Sequence, residues 1–510
     1  MKLTQINGMW AVLLLATTML FFSSCKKLDE NLNSELTRTQ ADALAKKTAN
    51  FASLLQTVYY DMNTPYTNYS FNFEMEELTT DEAIVPSRPS GWENGGTLRS
   101  IYTHTWDADH PDLLSTFNAL NKCVYDAGNI LTFDPPKDIA AEARFLRAYS
   151  LYTELNLFGK FPFRDPGSNL LSLPKVYTGL AGANFIISEV EAILPDLPAT
   201  GPSYTPTQQA AYGFLARAYL NKGVFDNRAK PVFDKADMDK VITYANDITG
   251  KSLDFYWNNF QPNNGAISKE QIFTLQGVAG THGLDLQYTW YASFLGEMTL
   301  PQGGGWNGWA TTPAFYDSFA DGDIRKAYND PVLKTKGGFN AGFVIGQQYG
   351  PGGNLLPNAI ITNSISTLQG ETLYSGVRVC KYIPDYTNKG NPGDSWMFIR
   401  YADVQLMAAE ALLREGNASQ ALTIVNTLRA ARSVTPGSLP ALTSLSLDDL
   451  LAERGRELYW ESVRRSDLIR FGKFLNATLL RPASNSKYLV FAIPRSAVID
   501  NPNLTQNPGY

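Results

Sequence analysis

The sequence predicts a mainly α-helical protein of tetratricopeptide-like helical hairpins, an α–α superhelix, carrying one loop-rich inserted subdomain. Three observations predict it. Apolar residues recur at i, i+3, i+4 and i+7 through segments spanning about 40–250 and 397–475. Between about 251 and 396 that period gives way to Gly, Pro, Asn and aromatic residues. With only three cysteines in 510 residues, no disulfide framework holds the chain, so packing must.

Residues 1–24 read as a lipoprotein signal peptide: Lys2 gives a positive start, and 9–22 is an apolar run too short for a stable span. Ser23-Ser24 are small and Cys25 follows at once, the arrangement in which a peptidase cuts and the thiol takes up lipid. The mature chain is then 25–510, read as one domain. A polar tether over 31–48 leads into a helix at 51–62, with Phe51, Leu54, Leu55, Val58 and Tyr59 on one face. Pro, Gly, Asn and aromatics interrupt 63–110. Helices return at 113–131 and 139–158, the second Ala-rich for close packing and stopped by Gly159. Further helices fall at 185–194, 207–221 and 237–249. Inside the insertion, 271–276 has the look of a strand, and glycine clusters at 303–305 and 350–353 punctuate the rest.

The helical frame resumes at 399–414, free of Gly and Pro, with Ala402, Leu406, Ala409 and Leu413 forming a stripe. Gly416 supplies the C-cap, and Ala421, Ile424, Val425 and Leu428 mark the next helix. A third begins at Ser446, a cap with Asp449 three residues on, and is expected to run towards Phe471. On it Glu453, Glu457 and Glu461 interleave with Arg454, Arg456, Arg464 and Arg465, a structural charge network in which Glu461 and Arg465 stand at ion-pair spacing.

Several of these residues resemble a known family. Phe398-Ile399-Arg400-Tyr401-Ala402-Asp403-Val404 with Glu410-Ala411, and Glu453-Arg454 through Glu457-Leu458, Glu461, Arg464 and Asp467-Leu468-Ile469-Arg470, are similar to the C-terminal signature of SusD-like (SusD/RagB) lipoproteins. So are the terminal Ala492-Ile493-Pro494-Arg495 and Asn501-Pro502-Asn503-Leu504-Thr505. Ser462 departs from the pattern, which has Gly after the Glu. The resemblance implies an outer-membrane, surface-exposed nutrient-binding protein, anchored by lipid on Cys25, that partners a SusC-like TonB-dependent transporter. It further implies a glycan ligand held by aromatics on loops, and no catalysis.

Composition agrees with a globular binding protein: 44% hydrophobic, 18% charged and 12% aromatic. A net charge of −6 argues against nucleic acid, whose binding rests on Lys and Arg at phosphates. Cys123 and Cys380 read as buried free thiols, with a pairing between them as the alternative. Neither His104, His110 nor His282 makes an HExxH or HxH pair, so neither metal nor cofactor is expected. Asp107, Asp109 and Asp112 are acidic neighbours that could hold Ca²⁺ on a loop, though they lack the EF-hand order with its Gly and distal Glu. The acidic run Glu74, Glu76, Glu77, Asp81 and Glu82 offers carboxyls for a glycosidase, though nothing in the sequence separates their pKa values.

The stronger signal is aromatic. Sugar rings stack their C–H faces on Trp or Tyr, while their hydroxyls seek amides and carboxylates. Trp92 and Asn94 in the first irregular region, and Trp290, Tyr291, Trp306 and Trp309 in the second, are the candidate ligand-binding residues; 303–305 would let a loop carry the last two Trp outward. Two alternatives stay open: oligopeptide binding on the same scaffold, and a secreted glycoside hydrolase.

Overall fold

The computed structural model describes residues 38–169 and 171–510, with side chains from 43 onward. Residues 1–24, read from the sequence as a signal peptide, and Cys25 lie outside the described residues. Two units separate, 1–49 and 50–510. In the first, a helix spans Arg38–Thr48.

The second unit is a row of helices, most of them packed on a sequence neighbour. They are α1 (Phe51–Thr67), α2 (Phe71–Glu77), α3 (Pro111–Ile130), α4 (Lys137–Phe158), α5 (Gly179–Ile193), α6 (Gln208–Asp226) and α7 (Lys235–Asn246). Within the insertion, α8 spans Leu286–Ser293. The row then resumes with α9 (Tyr401–Arg414), α10 (Ala418–Ala431), α11 (Leu447–Leu458) and α12 (Arg464–Arg470). Contacts run α1–α3–α4–α5–α6–α7, and α9 packs directly on α7, so the two halves of the helical frame join across the insertion. The periodic residues explain this: Leu406, Ala409, Ala421, Val425 and Leu428 share one buried cluster with Leu450. Gly416 ends α9 at φ 85°, where a Cβ is disfavoured, and Gly159 ends α4 at φ 73°. Ser446 and Asp449 form a reciprocal capping box at the start of α11.

Between the halves, short strands and helices replace the period. Strand Gln271–Leu275 pairs antiparallel with Trp396–Arg400, closing the neck of the insertion. The expected helix at 399–414 therefore starts late. Ile399 and Arg400 are strand, with Tyr401 N–H donating to Glu270 O at 2.8 Å, because a sheet partner was waiting for them.

The expected helix over 446–471 is two helices. Trp460 (φ 57°) and Ser462 (φ 59°) break it, and Glu461 turns inward to Lys381 (2.7 Å) and Arg400 (2.8 Å). Glu461 and Arg465 thus do not share a helix face; Arg465 stands 3.9 Å from Glu76 instead.

The charge network is real and dry. Glu457 receives Arg400 (2.7 Å), Arg432 (2.8 Å) and Arg325 (3.0 Å), and Glu270 bridges Arg400 and Arg432. Asp323 and Arg325 belong to the insertion and Glu453 to α11, so these pairs lock the insertion to the helical frame. Cys123 and Cys380 are free and buried.

Candidate functional site

The aromatic candidates divide in two when placed on the structure. Helix α8 presents Tyr288 and Tyr291 on one face, three residues apart. Both rings stack with Trp306, at centroid distances of 6.1 and 5.5 Å and interplanar angles of 21° and 28°. Trp306 is 41% exposed and Tyr288 36%. Tyr69, just beyond α1, meets the edges of both Trp92 (5.8 Å) and Trp306 (6.0 Å). Trp92 is half-buried, and its indole N–H donates to Trp306 O at 2.7 Å. Trp92, Trp306, Tyr288, Tyr291 and Tyr69 therefore form one surface platform.

The platform is held stiffly. Four successive N–H groups, those of Trp306, Asn307, Gly308 and Trp309, donate to carbonyls of Tyr291, Phe294, Ala292 and Ala292 at 2.5–2.9 Å. A Cβ on Gly308 would lie 2.1 Å from the Trp92 ring, so only glycine lets the indole rest on that backbone. A Cβ on Gly305 would lie 2.0 Å from Phe294 O. Buried Arg88 staples the region, donating to Gly308 O (2.6 Å), Pro86 O (3.1 Å) and Ser375 O (2.8 Å). Trp92 (φ 72°), Asn94 (φ 42°) and Asn307 (φ 57°) all sit in left-handed backbone, strain of the kind that clusters at binding sites. Asn94 is exposed beside the platform, and Glu93 next to it pairs with Arg99 at 2.7 Å.

Trp290 and Trp309 are not available to a ligand. Trp290 is 2% exposed, because two positions from Tyr288 on a helix is the opposite face. Trp309 is 1% exposed against Phe73 and Trp460, where the chain turns in to pair Ala310–Thr311 with Ala83–Ile84. The glycines at 303–305 thus carry Trp306 outward and leave Trp309 inside. Tyr291 is mostly buried, supports Trp306 from below, and accepts Gln302 N–H at 2.9 Å through its hydroxyl. Burial pushes its phenol above the usual range. Tyr69 and Arg88 were not singled out by sequence. Tyr69 lay in a stretch without period, and Arg88 carries no local pattern at all.

The acidic run sits elsewhere. Glu74, Glu76 and Glu77 on α2, and Glu82 just after it, are at most 1% exposed, and Asp81 pairs with Arg464 at 2.8 Å. The cavity beside Glu76 measures about 50 Å³, room for water and not for a sugar. Burial raises the carboxyls of Glu74 and Glu76 above the ordinary range. Asp109, one of the loop aspartates, pairs with Arg495 at 2.6 Å. Among the described residues no helix is long and apolar enough to cross a membrane.

Comparison with known proteins agrees with this architecture. Residues 347–489 match the model of the SusD family. The chain is 28% identical over 498 residues to the starch-binding protein SusD of Bacteroides thetaiotaomicron, covering 87% of this chain and 86% of that one. It is 25% identical over 435 residues to the SusD-like protein P2 of Formosa agariphila, covering 78% and 80%. A SusD superfamily crystal structure from Parabacteroides distasonis superposes with TM-score 0.71 at 18% identity, covering 93% of this chain and all of that one. The surface glycan-binding protein A of B. thetaiotaomicron, solved with laminarihexaose, superposes with TM-score 0.66 at 15% identity over 90% and 98%. Residues 347–489 thus resemble the SusD family, and most of the chain is similar to proteins that carry that name.

Proposed function

We propose that this protein is a cell-surface lipoprotein that binds oligosaccharide or polysaccharide and delivers it to a SusC-like TonB-dependent transporter. One observation carries the binding step: Trp306 and Tyr288 lie exposed in a stacked aromatic surface with Trp92 and Tyr69 at its edge. A pyranose laid on this surface buries its C–H face, and its hydroxyls reach Asn94 and Glu93 at the rim. The relatives support this ligand class, one being named for starch and another solved with laminarihexaose. Binding rather than turnover is its work, since Glu74, Glu76, Glu77 and Glu82 are buried and Asp81 is held by Arg464. Ser23-Ser24-Cys25 after an apolar run supports a lipid anchor at Cys25 in the outer membrane.

Native gels containing amylopectin or laminarin test the reading. The wild-type protein is retarded in at least one of them, and Tyr288→Ala runs closer to its mobility in plain gel. Equal retardation of the two proteins contradicts the platform. Cys25→Ala, expressed without the transporter, leaves the membrane fraction; persistence there contradicts the anchor.

A further inference from the structure

A second feature lies along the same surface. Residues of α1 and of the turn before α8 line a groove of about 850 Å³, within the range of small-molecule sites. Tyr60 (46% exposed) packs against the half-buried His282 ring at 4.1 Å, and Tyr204 (40% exposed) forms another wall. Gln56 donates its amide to Tyr60 Oη at 2.7 Å, and Tyr59 Oη donates to Glu142 Oε1 at 2.5 Å. The turn is rigid: Val278 and His282 exchange both backbone hydrogen bonds (2.7 and 2.9 Å), and Asn391 fixes Gly280 and Gly283. Aromatic faces with amides and a carboxyl between them repeat the chemistry of the Trp306 platform.

Two chain segments run side by side from groove to platform. Tyr60 meets His282, Thr64 donates to Asp285 Oδ2 at 2.9 Å, Asn68 reaches the same oxygen at 3.4 Å, and Tyr69 and Tyr288 both meet Trp306. At 1.5 Å per residue, Tyr60 stands roughly 10 Å from the end of α1, with Tyr69 just beyond. Polar Thr64, Asn68 and Asp285 therefore bridge two aromatic stations.

The geometry points to one extended glycan track, from the Trp306 platform along α1 into the Tyr60–His282–Tyr204 groove. The ligand class is then a linear neutral oligosaccharide of several units, not a mono- or disaccharide. This inference rests on the glycan-binding reading above, and its test separates the two.

His282 and Trp306 serve as reporters by NMR, using ¹³C-labelled histidine and 5-fluorotryptophan. His104 and His110 are buried, so the His282 ring is the responsive histidine. The probes are maltohexaose, laminarihexaose and cellohexaose, each beside its disaccharide. At least one hexasaccharide shifts both reporters, whereas its disaccharide shifts Trp306 alone. Tyr60→Ala and Tyr204→Ala lower the ratio of hexasaccharide to disaccharide affinity several-fold. If every hexasaccharide moves Trp306 and leaves His282 still, the track is wrong and the platform stands. If only His282 moves, or a disaccharide moves both, the sites are not one track. If neither reporter moves with any probe, both readings fall.

Discussion

Replacing Glu457 by Gln keeps the shape of the side chain and removes one buried negative charge. Three guanidinium groups, of Arg400, Arg432 and Arg325, lie within 2.7–3.0 Å of its oxygens, and none of the four side chains is more than 1% exposed. Burial alone would raise this carboxyl. The guanidinium groups of Arg432, Arg400 and Arg325 outweigh it and hold the acid well below its ordinary value of 4.5. Breaking a buried pair by removing one partner costs about 3–5 kcal/mol, because the remaining charges stay desolvated. An unfolding entropy near 2 cal/mol/K per residue over some 460 residues gives about 1 kcal/mol/K, so the melting midpoint should fall by about 3–5 °C. Differential scanning calorimetry at pH 7 reads this directly. A midpoint within about 1 °C of wild type would refute the view that a dry charge network holds the insertion to the helical frame.

Other perturbations follow from single sites. Ser462 sits at φ 59° with its hydroxyl buried and unpartnered, so Ser462→Gly should raise stability by about 1 kcal/mol in denaturant titration. Gly416→Val, at φ 85° with open space around the added atoms, should lower it by about 1 kcal/mol or more through backbone strain alone. Glu77 and Glu82 are buried side by side, and burial raises both, with Glu82 adding to the rise at Glu77 and Asp81 to the rise at Glu82. Their protonated forms are favoured in the fold, so that stability is fully present below about pH 4.5 and is lost as pH rises through the raised values. Glu82→Gln should flatten that decline; chemical denaturation at pH 5 and pH 8 would show it. Glu410 and Glu453 work in the opposite sense. Burial opposes their charge, but Arg470 and Arg325 respectively win and hold both acids at about 2. Their contribution is present above about pH 4.5 and is lost as pH falls towards 2, which acid titration of the fold would follow.

The helical frame was legible because its signals are local. The Ser446–Asp449 box and the stops at Gly159 and Gly416 depend on residues within one turn of each other. Two boundaries were not legible, for one physical reason. Ile399–Arg400 became strand, and 459–463 became a turn, through partners more than fifty residues away: Gln271 for the first, Arg400 and Lys381 for the second. The site behaved likewise. Composition located aromatics in the irregular segments, and Trp306 and Trp92 do reach the surface together. Trp290 turned inward on α8, whose short length hid the period that places Tyr288 outward and Tyr291 beneath Trp306. Tyr69 and Arg88 matter through contacts with segments more than two hundred residues distant, which no window of sequence reveals.

The central claim is that Trp306 binds sugar while Trp309, three residues on, only holds the core. Paired measurements on Trp306→Ala and Trp309→Ala decide it: isothermal calorimetry with whichever of maltohexaose, laminarihexaose or cellohexaose the wild type binds, and thermal melting of each variant. Stacking contacts are worth about 0.5–1.5 kcal/mol. Trp306→Ala should therefore lose roughly several-fold to tenfold in affinity and keep its melting midpoint. Trp309→Ala should lose about 3–5 kcal/mol of stability. Full affinity in Trp306→Ala, an early melt of that variant, or no binding of any of the three glycans by the wild type would contradict the account.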